Sequence, residues 1–158
     1  MLWTAALRPE LERERRPVFS PLAPEPFAVG LETIYEGYLV HYGRPRLFAP
    51  ADGDTALLLG DYLYAHGLVR VAERENVRAV ADLAELISLC AELRAGAGAS
   101  ADGIAWAATA AVLGAGWLDE ARRALREGDP EPLGELARAA AGEEAVEHAL
   151  AAHRRRVE

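Results

Sequence analysis

The chain has 158 residues, 51% of them hydrophobic and 27% charged, with a formal net charge of −8. That length suits one domain with a single core, and the acidic balance excludes a general nucleic-acid binder, whose phosphate contacts need clustered cations. The lone Cys90 excludes an internal disulfide and a multi-cysteine metal site and fits a reducing, cytoplasmic compartment, while no run approaches the ~20 apolar residues of a transmembrane segment.

Residues 1–28 read as an arm and 29–158 as one helical domain. The apolar start ends at Leu7 before Arg8 and Pro9, too short for a signal peptide. Residues 8–16 suit a short charged helix, which Pro17, Pro21, Pro24 and Pro26 stop from continuing. Phe19, Leu22 and Phe27 lie among the prolines and are expected to pin the arm to the core or, with Trp3, to a partner.

From Leu31 the series Leu31, Ile34, Tyr35, Tyr38, Leu39, Tyr42 has helical spacing, with Gly43 and Pro45 as the stop, so a first helix spans about 29–42. Asp52 or Asp54 can cap a second helix whose segment from Ala56 to Val69 is apolar nearly all round, which predicts a place at the centre of a bundle. Asn76 caps a third, with Val77, Val80, Leu83, Ala84, Leu86, Ile87, Cys90 and Leu93 as its apolar face and Gly96 and Gly98 as its end. A fourth helix follows over 101–115, a fifth from Trp117 to Glu127, then a Gly128-Asp129-Pro130 turn, a short helix over 133–141 and a last one from Glu143 to Arg156. Strand formers are scarce, so the fold class is all-α: a single-domain bundle of about six or seven helices. Glu143 and Glu144 at the start of the last helix and Arg154, Arg155 and Arg156 at its end complement the helix dipole, which is sufficient reason for the arginines; an anion-binding or anionic-lipid role is the alternative.

Asp61 is the first candidate for a functional residue, because a carboxylate within an apolar helix must be paired, hydrogen-bonded or neutralised. Arg44, Arg46, Tyr38 and His41 are the candidates to answer it, in a structural network or around a ligand. His66 lies five residues beyond Asp61, which is not a one-face spacing, and His148 and His153 are likewise five apart on an acidic helix expected to be exposed. No zinc site follows from four scattered histidines, no serine lies in a nucleophile elbow, and Cys90 lacks a base and suits a buried helix position. The glycines at 96, 98 and 103 follow a helix without a lysine and do not suit a phosphate loop. No catalytic residue, metal or cofactor is therefore expected. A ligand, if taken up, would meet Tyr38, His41, Asp61, Tyr62 and His66.

Three stretches resemble the trans-polyprenyl diphosphate synthases. Leu31 to His41 looks like the family helix that leads into its first aspartate-rich motif. Gly43-Arg44-Pro45 looks like its Gly-x-Pro turn, and Leu58-Leu59-Gly60-Asp61-Tyr62-Leu63 its Leu-Ala-Gly-Asp-x-Leu helix. The match covers residues 31–95 and includes a likeness to the non-catalytic small subunit of the two-component heptaprenyl enzymes. It implies an isoprenoid-synthase-like helical core. The family's paired aspartates, which hold Mg²⁺ against a diphosphate, are missing: Tyr42-Gly43 follows His41 directly, and no two aspartates are adjacent anywhere. The resemblance therefore implies a degenerate, non-catalytic domain acting as a homodimer or as an accessory subunit of a protein partner. The alternative is a small-molecule or lipid binder that keeps an interhelical cavity for an isoprenoid or other apolar ligand, lined by Tyr38, Asp61, Tyr62 and His66.

Overall fold

A computed structural model describes residues 2–158. Those residues form α1 (Ala28–Tyr42), α2 (Gly53–Ala72), α3 (Val77–Ala95), α4 (Asp102–Ala111), α5 (Asp119–Arg126), α6 (Glu131–Ala141) and α7 (Glu143–Val157), with short 3-10 turns and no strand among them. The fold class is thus all-α, as the periodicities require. The expected helix over 8–16 reduces to a single 3-10 turn at Glu10–Glu12.

The caps act as the sequence indicates. Asp52 accepts the Thr55 amide at 2.7 Å to open α2, and Asn76 accepts the Ala79 amide at 2.9 Å to open α3. The fifth helix starts two residues later than expected, at Asp119. Trp117 lies in the preceding loop with φ 81°, a left-handed conformation that is uncommon for a bulky residue, and its side chain is exposed.

Helices α1 and α2 pack tightly because each carries two glycines seven residues apart, Gly30 and Gly37 facing Gly67 and Gly60. A Cβ at Gly37 would lie 2.9 Å from the Gly60 carbonyl oxygen, and one at Gly30 would lie 2.6 Å from the Val71 side chain. Any larger residue would push the helices apart. On its other side α1 meets α4 and α7, with alanine-rich α4 packed against α3, α6 and α7. The centre of the core is an aromatic cluster in which Trp106 of α4 lies 5.0 Å from Tyr35 and 5.4 Å from Tyr38, centroid to centroid.

The arm completes this core. Phe19 is fully buried and stacks on Trp106 at 5.6 Å, and Phe27 is buried as well, so these two side chains are core rather than contacts offered to a partner. One oxygen of Glu32 on α1 accepts the amides of Val18, Phe19 and Ser20 at 3.0, 3.0 and 2.8 Å. Its second oxygen meets Arg46 at 2.7 Å, and Arg46 also donates to Glu36 at 3.0 Å, so a buried guanidinium is answered by two carboxylates. A second buried pair ties α3 to α5: Arg122 donates to the Asp82 carbonyl and the Gly114 amide to the Asp82 carboxylate, both at 3.0 Å.

Helix α2 is not central. Its inner positions Leu59, Gly60, Leu63, Gly67 and Val71 are buried, whereas Leu57, Leu58, Tyr62 and Val69 are exposed. Val77 and Ala84, expected on the apolar face of α3, are exposed too.

Candidate functional site

Asp61, expected inside the bundle, points outward with 66% of its side chain exposed. Of the four groups proposed to answer it, His41 does so, its Nε2 lying 3.1 Å from the carboxylate. His41 can reach this point because its ring is seated directly over Gly60, where any Cβ would collide with it. Tyr62 stacks on His66 with centroids 5.6 Å apart and interplanar angle 8°, and Trp3 from the arm covers its other side at 5.4 Å. His66 Nε2 accepts from Arg70 Nε at 3.3 Å, across one helical turn. His41, Asp61, Tyr62 and His66 therefore share the surface of α2, while Tyr38 lies on the opposite side of α1, fully buried. The five residues do not line a common cavity.

The outer face of α2 has a regular composition. Leu58, Tyr62, Ala65, Val69 and Ala72 follow one another at intervals of four, three, four and three, and all are exposed. That is the seam spacing of a coiled coil, in which each apolar side chain is a knob awaiting a hole on a facing helix. Leu58 and Val69 are each 58% exposed and Tyr62 45%. Asp54 and Asp61 flank the N-terminal half of the seam; its C-terminal half carries His66, Arg70, Glu73 and Arg74.

On the inner side, Tyr38 belongs to a cluster that joins four helices. Asp102, at the first residue of α4, accepts from the Tyr38 hydroxyl, from Arg94 of α3 at 2.6 Å, and pairs with Nε2 of His153 on α7 at 2.9 Å. His153 Nδ1 meets the Tyr35 hydroxyl at 2.9 Å. Burial opposes ionisation of Asp102, but the hydrogen bond and charge of His153, the Tyr38 hydroxyl and the Arg94 guanidinium outweigh it and hold its pKa below the ordinary carboxylate value. Burial pushes both tyrosine hydroxyls up, so they remain neutral. Both ring nitrogens of His153 are engaged, and Asp102, His153 and both tyrosines are buried, with Asp102 and His153 forming part of the wall of a cavity. Chemically the cluster is a staple between α1, α3, α4 and α7.

Sequence reasoning missed this cluster. His153 was expected on an exposed helix surface, and Asp102 has the ordinary appearance of an acid in a first helical turn. Glu32 and Glu36 did carry a signal, as two acids four apart in an apolar helix with Arg46 close behind. Behind Asp102 and His153 an open cavity of about 580 Å³ lies between α4, α6 and α7, with Arg94, Ile104, Arg138, Leu150, Arg154 and Val157 among its walls. None of the five expected ligand residues lines it. Among the described residues no three His, Cys, Asp or Glu side chains are grouped to hold a metal ion, and no helix is long and apolar enough to cross a membrane. No family model, curated protein or solved structure matches the chain.

Proposed function

We propose that this protein is a non-catalytic, cytoplasmic helical protein that works by association: two copies pair through the outer face of α2, on a scaffold related to the trans-polyprenyl diphosphate synthases. The observation that carries the reading is the exposed seam Leu58, Tyr62, Ala65, Val69 and Ala72. Large apolar side chains repeated at coiled-coil spacing and left in water are costly unless a second helix covers them.

A second copy fits the seam in an antiparallel arrangement. Turning one α2 against another about an axis between Tyr62 and Ala65 sets Leu58 against Val69 and the large Tyr62 against the small Ala65, so each layer has similar volume. A parallel pair would crowd Tyr62 on Tyr62 and leave a gap at Ala65. Charge selects the same orientation: it places the acidic half, with Asp54 and Asp61, beside the half in which Arg70 and Arg74 balance Glu73 and Glu75. A helix of 20 residues is about 30 Å long, and pairing two such faces with Trp3 at the rim covers on the order of 1,000 Å². That is the lower end for a specific interface. The degenerate-synthase part of the reading is supported by the motifs around Gly43 and Gly60 together with the lack of adjacent aspartates.

Sedimentation velocity over a concentration series tests the association. The expected result is a reversible dimer with Kd of about 1–100 μM, converted to monomer by Leu58→Arg without loss of helical signal. A wild-type chain that stays monomeric throughout, or a Leu58→Arg chain that still dimerises, contradicts it. Turnover of a prenyl diphosphate in the presence of Mg²⁺ by the isolated chain would contradict the non-catalytic part.

A further inference from the structure

The arginines at the end of α7 have a helix-dipole explanation, but the structure surrounds them with cations from elsewhere. A cavity of about 370 Å³ is lined by Arg8 and two glutamates, Glu12 and Glu14, of the arm, by Arg44 of the segment after α1, and by Arg155 and Arg156 of α7. Four guanidiniums thus meet two carboxylates, on a chain whose net charge is −8. The partial negative charge of a helix C-terminus, about half a unit, offsets only part of the excess. Glu158 does not reduce it further, since it lines the 580 Å³ cavity on the other flank of α7.

The backbone places these groups. The Arg8 amide donates to the Leu47 carbonyl at 2.8 Å and the Ala49 amide to the Ala6 carbonyl at 2.7 Å, which fastens the arm along residues 47–49. The Arg44 amide donates to the Arg156 carbonyl at 2.9 Å, and its guanidinium donates to the Arg155 carbonyl. Arg156 is held by Glu14. The guanidiniums of Arg8 and Arg155 make no ion pair among the described residues and remain available. Like charges gathered in this way repel unless an anion sits between them, and planar guanidiniums suit an anion with several oxygens.

The geometry points to a binding site for a phosphate-class oxyanion, free or as the head of a phospholipid, in the cavity between Arg8, Arg44, Arg155 and Arg156. Its walls are mainly polar, so it takes a head group rather than an apolar tail. None of the residues lining the site belongs to α2.

Titration calorimetry with inorganic phosphate against chloride at equal ionic strength, at about pH 7.5 where the dianion is the major form, tests the free source. Pelleting with phosphatidic-acid vesicles against pure phosphatidylcholine vesicles tests the lipid source. The variant is Arg8→Gln with Arg155→Gln, two side chains that make no bond within the fold, and circular dichroism confirms that it is folded. Saturable phosphate binding reduced at least about tenfold in the variant supports the site with free phosphate as ligand. Selective pelleting lost in the variant, without free-phosphate binding, supports it with the lipid head as ligand. Equal response to phosphate and chloride with no selective pelleting, or binding unchanged in the folded variant, overturns it.

Discussion

Helices α1 and α2 are built from similar material and end in different surroundings. Both are apolar nearly all round, both carry tyrosines and a histidine, and they are fused by the same glycine spacing. Beyond its exposed Val29, α1 is covered along most of its length by α2, the arm, α4 and α7, so its Tyr35 and Tyr38 are buried and each hydroxyl has a partner. α2 has α1 on one side and an open seam on the other, where Tyr62 has only ring stacking from Trp3 and His66. The contrast shows that an all-round apolar helix is not necessarily central; it is one with two faces to cover, and in α2 the chain itself covers one.

The two aspartates nearest these helices provide the sharpest test of that difference. Asp102→Asn removes the charge that answers Arg94 and His153 inside the cluster and is expected to cost about 3 kcal/mol by urea denaturation. The same change at Asp61, an exposed partner of His41, is expected to cost less than about 0.5 kcal/mol. Equal costs would erase the distinction between inside and outside. Next in size, Gly37→Val inserts a branched side chain against the Gly60 carbonyl and is expected to destabilise by about 1–3 kcal/mol, read from the same denaturation curves.

Acid should separate the two regions as well. The pKa of Asp102 is lower folded than unfolded, so its contribution is complete above the unfolded value of about 3.9 and is lost as the pH falls towards the folded value. Below about pH 4 the Tyr35 and Tyr38 environment should loosen, visible in near-ultraviolet circular dichroism, and Asp102→Asn should lack that transition. The smallest stability effect belongs to Leu58→Arg, within about 0.5 kcal/mol of wild type for the monomer, because more than half of the residue is exposed.

Much of the fold was legible in local chemistry. Asp52 and Asn76 were readable as caps because a short polar side chain before an apolar run has one task, and Gly128 before Asp129-Pro130 adopts the left-handed turn it suggests, with φ 95°. Phe19 was legible as an anchor of the arm, though not as a neighbour of Trp106, which depends on how distant segments meet. The Asp102–His153 pair was not legible for the same reason: the partners are 51 positions apart and each suits its own helix as a surface residue. Asp61 misled because periodicity reports apolar content without reporting what covers it. The family motifs around Gly60 rest on the same stretch, where the glycine has a local purpose in seating His41.

Pairing of α2 with a second α2 can be measured as a distance. A spin label on Asp54→Cys, with the native Cys90 protected by burial, sits near one end of the seam. In an antiparallel dimer centred between Tyr62 and Ala65, double electron–electron resonance should give a label separation of about 30 Å, which vanishes in the Leu58→Arg background. Absence of dipolar coupling at concentrations well above Kd, or a short separation typical of a parallel pair, would contradict the assembly.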